Sequence, residues 1–145
     1  MLFRSDQFSI RLSTQPVADV VLNIVGSDNG EAVISPTALT FTNVDWDTPQ
    51  VVTVTGVNDP VIDGNQVSTA TISVGGASDG DFLGVGDQVV TITTADDDAA
   101  GFAVTESDES SVVTEGGGTD GVTVVLTAQP SADVVLAVEI GRAHV

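Results

Sequence analysis

Residues 6–26 read DQFSIRLSTQPVADVVLNIVG. Phe8, Ile10 and Leu12 alternate with other positions. A strand with one buried face does this, because successive side chains point to opposite faces. Ser13 to Asp19 holds Pro16 and predicts a turn. Val20 to Val25 is apolar and rich in β-branched residues, which predicts a second strand. The stretch recurs 114 residues later as DGVTVVLTAQPSADVVLAVE at 120–139. Asp6 aligns with Asp120, Leu12 with Leu126, and Gln15-Pro16 with Gln129-Pro130; Ala18-Asp19-Val20-Val21-Leu22 returns as Ala132-Asp133-Val134-Val135-Leu136. Nine of the 19 positions from 6 to 24 are identical without a gap. A period near 114 exceeds the 20–50 residues of solenoid repeats and matches a whole sandwich domain, so tandem domains are expected.

The chain between the two copies keeps the same grammar. Gly26 to Gly30 is a turn cluster, and Val33 to Thr42 carries Leu39 and Phe41 on one face. Residues 43–50 (NVDWDTPQ) form a loop whose Trp46 is expected to cap the core. Val51 to Thr55 is a strand, 57–66 (VNDPVIDGNQ) an acidic loop, and Val67 to Val74 a strand. Gly75 to Asp87 reads as a long, exposed loop whose Asp79, Asp81 and Asp87 are solvated. Gln88 to Thr94 is the last strand of the period, and Phe102 to Thr105 opens the next unit. About seven strands per period and no helical pattern predict an all-β, immunoglobulin-like antiparallel β-sandwich. On this reading residues 6–100 are one repeat without its opening strand, which leaves an edge exposed, and 101–138 begin the next. Residues 1–5 (MLFRS) and 139–145 (EIGRAHV) both read as translated sequencing-adapter DNA and are expected to be foreign to the natural protein.

The 145 residues include 21 acidic side chains against three arginines, with no lysine, for a formal charge of −18. Yet 41% are hydrophobic, so this is not a disordered acidic tail. Such a charge disfavours nucleic acid and anionic membranes, whose phosphates attract basic proteins. No apolar run approaches the ~20 residues of a membrane helix. The absence of cysteine removes disulfides and zinc–thiolate sites. With the suspect ends set aside, only carboxylates remain for acid–base work, and no nucleophile stands with an activating base, so an enzyme is not expected.

The junction 94–102 (TADDDAAGF) places Asp96, Asp97 and Asp98 in a row where the chain leaves a strand. Two like charges ~4 Å apart repel by roughly 4 kcal/mol at an effective dielectric of ~20. Water or a cation must relieve this, and an isolated run reads first as a solvated linker. Three loops shift the balance, those of Asp28, of Asp59 with Asp63, and of Asp96 to Asp98. They are separated by even numbers of strand traverses, which returns the chain to one end of the sandwich. Calcium takes six to eight oxygens, mostly carboxylates and carbonyls, and loops at one end of a sandwich can supply them. Other motifs fit worse. An EF-hand loop begun at Asp59 has Val61 at its third position and Ala70 at its twelfth. Glu106, Asp108 and Glu109 read as an exposed acidic edge. Gly116 to Gly118 reads as a strand break, not a phosphate loop.

Val113-Thr114-Glu115-Gly116-Gly117, Gly26-Ser27-Asp28, Val57-Asn58-Asp59 and the Asp96 to Phe102 junction together resemble the Calx-β domain, over nearly all of 6–138. That family also occurs as tandem repeats in large bacterial surface proteins. The resemblance implies Ca2+ bound at one end of an immunoglobulin-like sandwich, with ligands at Asp28, Asp59, Asp63, Asp96, Asp97 and Asp98 for the first unit and Glu115 for the second. Asn58 departs from the pattern where an aspartate is common, and Asp63 stands where a glutamate is common. The expected function is a calcium-binding structural repeat of an extracellular or cell-surface protein, whose partners are neighbouring repeats of its own chain. The alternative is an adhesion module that binds a glycan or protein through exposed loops, especially 75–87. Neither nucleic acid nor membrane insertion is expected.

Overall fold

A computed structural model describes residues 5–141. The remaining residues of the suspected foreign ends, 1–4 and 142–145, lie outside the described residues. The chain divides into two compact units. The first comprises residues up to Asp59 and Asp63–Asp96; the second comprises Pro60–Ile62 and the chain from Asp97 onward.

The first unit is a β-sandwich of antiparallel strands. Its strands are β1 (Ser5–Ile10), β2 (Val20–Gly26), β3 (Ala32–Ser35), β4 (Ala38–Phe41), β5 (Gln50–Gly56), β6 (Gln66–Val74) and β7 (Gln88–Thr94). One sheet has the order β1-β5-β3 and the other β4-β2-β6-β7. Val20, Leu22 and Ile24 of β2, Leu39 and Phe41 of β4, and Ala70 and Ile72 of β6 share one buried cluster with Ala32 and Ile34 of β3 and Val52 and Val54 of β5. All lie at alternate positions, as a half-buried pleat requires. Each large aliphatic or aromatic side chain so buried contributes roughly 1.5–3 kcal/mol. Trp46 packs against this cluster from the loop that follows β4.

The expected single element at 33–42 is two strands in two sheets. Pro36 has no N–H to give a ladder and interrupts it. Across it the buried positions change phase, from Ala32 and Ile34 to Leu39 and Phe41. β3 pairs with β5 (Ala32↔Gly56), whereas β4 pairs with β2 (Val20↔Phe41). Both run in the same sense, so together they make one traverse of the sandwich. The count of traverses, and with it the end at which each loop emerges, is therefore unchanged.

Residues 75–87 also differ from expectation. Asp79 is only 8% exposed. Its Oδ2 accepts from Val17 N–H (2.7 Å) and Ala18 N–H (2.8 Å), and its Oδ1 accepts from Asp81 N–H (2.9 Å). Ser78 Oγ accepts from Val21 N–H (2.9 Å). The loop is a clasp over the 13–19 turn, and a short 3-10 turn (Gly80–Phe82) lays Phe82 against the core. The three amides hold the Asp79 carboxyl below the usual carboxylate range, Ala18 first.

In the second unit β8 (Phe102–Glu106) pairs antiparallel with β9 (Val122–Leu126), from Phe102↔Leu126 to Glu106↔Val122. The loop between them is tied by Asp120, which accepts from the Ser107 hydroxyl, from Val112 N–H (2.9 Å) and from Gly121 N–H (2.7 Å). These bonds, the Ser107 one foremost, lower its pKa. Pro60–Ile62 belong to this unit, where Gln129 N–H donates to the Pro60 carbonyl (2.7 Å) and Val61 bridges Gln129.

A candidate cation site among five carboxylates

The acidic loops of the first unit emerge at one end because of strand register. β3 leaves that end where Ala32 pairs Gly56 of β5. β6 leaves it where Gln66 pairs Thr94, the last residue of β7. Val57 N–H donates to the Glu31 carbonyl (2.9 Å), and Thr94 Oγ1 donates to the same carbonyl (3.1 Å). The segments after β2, after β5 and after β7 are thus tied to one backbone atom.

The side chains follow. Glu31, Asp59 and Asp63 each present a carboxylate oxygen within 4.8 Å of the others'. Glu31 and Asp59 are half-buried, and Asp63 is exposed. Asp28 and Asp96 lie outside that set but near enough to act on it. The Glu31 carboxyl is raised above the usual carboxylate range, first by burial and then by the charges of Asp63, Asp59, Asp28 and Asp96. No basic side chain is among the causes, so the negative charges act on one another uncompensated.

Local hydrogen bonds set these positions. Asp28 Oδ1 accepts from Gly30 N–H (2.9 Å), closing a turn that delivers Glu31 to the start of β3. Asp96 Oδ2 accepts from Gly64 N–H (2.8 Å), and Asp96 N–H donates to Asn65 Oδ1 (3.1 Å). Gly64 has φ +76°, the left-handed region where glycine is favoured, and so brings Asp63 round to the cluster.

Of the residues expected from sequence, Asp59 and Asp63 stand in the tight group, and Asp28 and Asp96 surround it. Asp97, Asp98 and Glu115 belong to the second unit, Glu115 in an exposed turn there. Glu31 is the member that sequence reasoning missed. It follows a glycine and precedes an apolar pair, like many surface residues, and only the pairing of β3 with β5 sets it beside Asp59 and Asp63. Asp79, taken for a solvated residue, is instead the clasp described above.

No family model matches the chain, and no curated protein matches it significantly. Among solved structures, the fold is similar to SSP-19, an MSP-domain protein like family member from Caenorhabditis elegans. The TM-score is 0.42 at 17% identity, over 65% of this chain and 86% of that one. Nothing about function passes across so loose a similarity.

Proposed function

We propose that this chain is a non-catalytic, calcium-binding repeat of a large extracellular or cell-surface bacterial protein, of the immunoglobulin-like Calx-β type. In this reading calcium stiffens the passage from one repeat to the next. The observation that carries it is the convergence of Glu31, Asp59 and Asp63, with Asp28 and Asp96 around them, and with no basic group to neutralise them. Carboxylates held in mutual repulsion are stabilised by a hard divalent cation, and Ca2+ accepts the irregular oxygen shells that loops provide. Mg2+ demands near-ideal octahedral geometry and gives up its waters reluctantly. The position fits the junction role, since β7 passes from this end directly into Asp97 and Asp98.

Thermal unfolding of the full chain in EDTA and in millimolar calcium, with magnesium as control, tests the reading. If calcium binds only the folded form, a 100-fold excess over Kd adds roughly 2.7 kcal/mol. The expected result is a calcium-specific rise in Tm that Asp59→Asn with Asp63→Asn abolishes. The same pair of substitutions raises Tm in EDTA, because it removes repulsion. An unchanged Tm in calcium overturns the proposal and moves partner binding to first place.

One observation favours the adhesion reading as second. At the opposite end of the first unit, Arg11, Leu12, Ser13, Trp46 and Asp47 line a shallow cleft of about 330 Å³. An aromatic ring beside charged and hydroxyl groups suits a sugar, by stacking and by hydrogen bonds. Trp46 is the sole tryptophan, so its fluorescence during titration with soluble oligosaccharides reads the cleft directly.

A further inference from the structure

The backbone direction of β1 reveals an unused edge with a defined fit. Val57 N–H donates to Glu31 O, so odd-numbered residues at that end of β5 hydrogen-bond toward β3. The even-numbered residues of β5 therefore bond toward β1. The register Asp6↔Val54, Phe8↔Val52 and Ile10↔Gln50 makes the matching β1 residues Asp6, Phe8 and Ile10. Leu12 N–H continues the pattern, donating to Trp46 O (2.8 Å). The amides of Gln7 and Ser9 must then point outward. Gln7 N–H is taken by Asp6 Oδ1 (2.8 Å), and β1 ends its sheet with no strand beyond it among the described residues.

The equivalent residues of the second unit show what this edge accepts. Shifted by 114, Gln7, Ser9 and Arg11 become Gly121, Thr123 and Val125. Ser107 N–H donates to Gly121 O (3.3 Å) and Thr127 N–H to Gly101 O (3.0 Å), so these odd-numbered residues are the ones that bond to β8. The edge left open on β1 is thus the edge that β9 fills with Phe102–Glu106. Transferred in register, Phe102 would face Leu12, Val104 would face Ile10, and Thr105 would face Ser9. Phe102 and Val104 stand on the same side as Val124 and Leu126, whose counterparts Ile10 and Leu12 turn toward the first unit's core. In the second unit Phe102 and Val104 are more than half exposed. A two-stranded sheet is marginal alone, whereas β1 belongs to a packed sandwich. Moving β8 to β1 therefore extends a supported sheet and covers two exposed apolar side chains.

We propose that the outer edge of β1 is a strand-docking site whose occupant is the Phe102–Glu106 strand of a second copy of this chain. The pairing is antiparallel, with Thr105 opposite Ser9. Main-chain bonds supply the affinity, and Phe102 and Val104 set the register. The mechanism needs no cation and operates in EDTA.

The chain has no cysteine, so a pair of introduced thiols reports the register cleanly. In EDTA, Ser9→Cys with Thr105→Cys is expected to form a disulfide between chains under mild oxidation. Ser9→Cys with Ala103→Cys, displaced by two residues on the same face, is expected to form none, because its thiols lie beyond disulfide reach. Sedimentation of the unmodified chain should show species of twice the monomer mass or more as concentration rises. Ser9→Pro removes only an outward amide, which edge strands tolerate. It should abolish that association while leaving Tm of the first unit in place. A chain monomeric at every concentration, equal crosslinking of both cysteine pairs, or a disulfide formed solely within one chain each overturns the proposal.

Discussion

Residues 18–22 and 132–136 are the same five amino acids, Ala-Asp-Val-Val-Leu, and they meet opposite fates. The first copy enters β2, where Val20 is 0% and Leu22 7% exposed. The second forms no strand, and Val134, Val135 and Leu136 are 50%, 91% and 40% exposed. The flanking copies behave alike. Residues 8–12 overlap β1, and their counterparts 122–126 are β9. The difference lies in partners. β2 is hydrogen-bonded on both sides, to β4 and to β6, and lies over a core that β3 and β5 complete. β9 has β8 within reach. Residues 132–138 have no neighbouring strand among the described residues. A strand unpaired on both edges satisfies its backbone with water and buries nothing. The pattern of apolar residues is thus permission to form a strand, and pairing is the cause.

Matched truncations should open the widest gap between the copies. Leu22→Ala removes a buried side chain and is expected to cost about 2–5 kcal/mol in denaturant unfolding. Leu136→Ala should stay within about 0.5 kcal/mol, as exposed substitutions do. Similar costs at both sites would mean that the second copy is packed after all.

Supplying the missing context should erase the gap. Placing a second copy of residues 25–98 directly after Val138 gives the second stretch its own β3 to β7. Amide exchange at Val134 to Leu136 should then slow to the level seen at Val20 to Leu22. Continued fast exchange would refute the claim that partners alone separate the two.

Smaller, and specific to the first copy, is the clasp at its turn. Asp79 is held below the usual carboxylate range, so its contribution is present above its unfolded pKa and lost as pH falls through the folded value. Asp79→Asn should lower Tm at neutral pH and flatten the acid limb of the stability profile. Exchange at the Val17 and Ala18 amides should quicken, while the matching Ser131 and Ala132 amides stay as they were. Glu31 has the opposite sign. Its raised pKa means that, in EDTA, stability falls as pH rises from the unfolded carboxylate value through the folded one. Calcium should remove that decline.

Much of this protein is written locally. Alternation at Phe8 and Ile10, β-branched runs at 51–55 and 67–74, and turn residues between them determine an all-β chain and name most of its strands. Three of the acidic loops could be assigned to one end by counting traverses, which survived the division of 33–42 because β3 and β4 run in one direction. Other features were decided by tertiary structure, since each depends on which strands pair and in what register. Pro36 marks a break, but only the two sheets show that the chain changes layer there. Glu31 joins Asp59 and Asp63 because β3 lies beside β5, a relation between residues 26 or more positions apart that carries no local mark. Asp79 looks like its neighbours Asp81 and Asp87 until the 13–19 turn offers it two amides. Side-chain chemistry and period are properties of a segment, and a sequence states them outright. Burial, repulsion among carboxylates and the choice between strand and coil for Ala-Asp-Val-Val-Leu are properties of neighbours, and only the assembled fold supplies those.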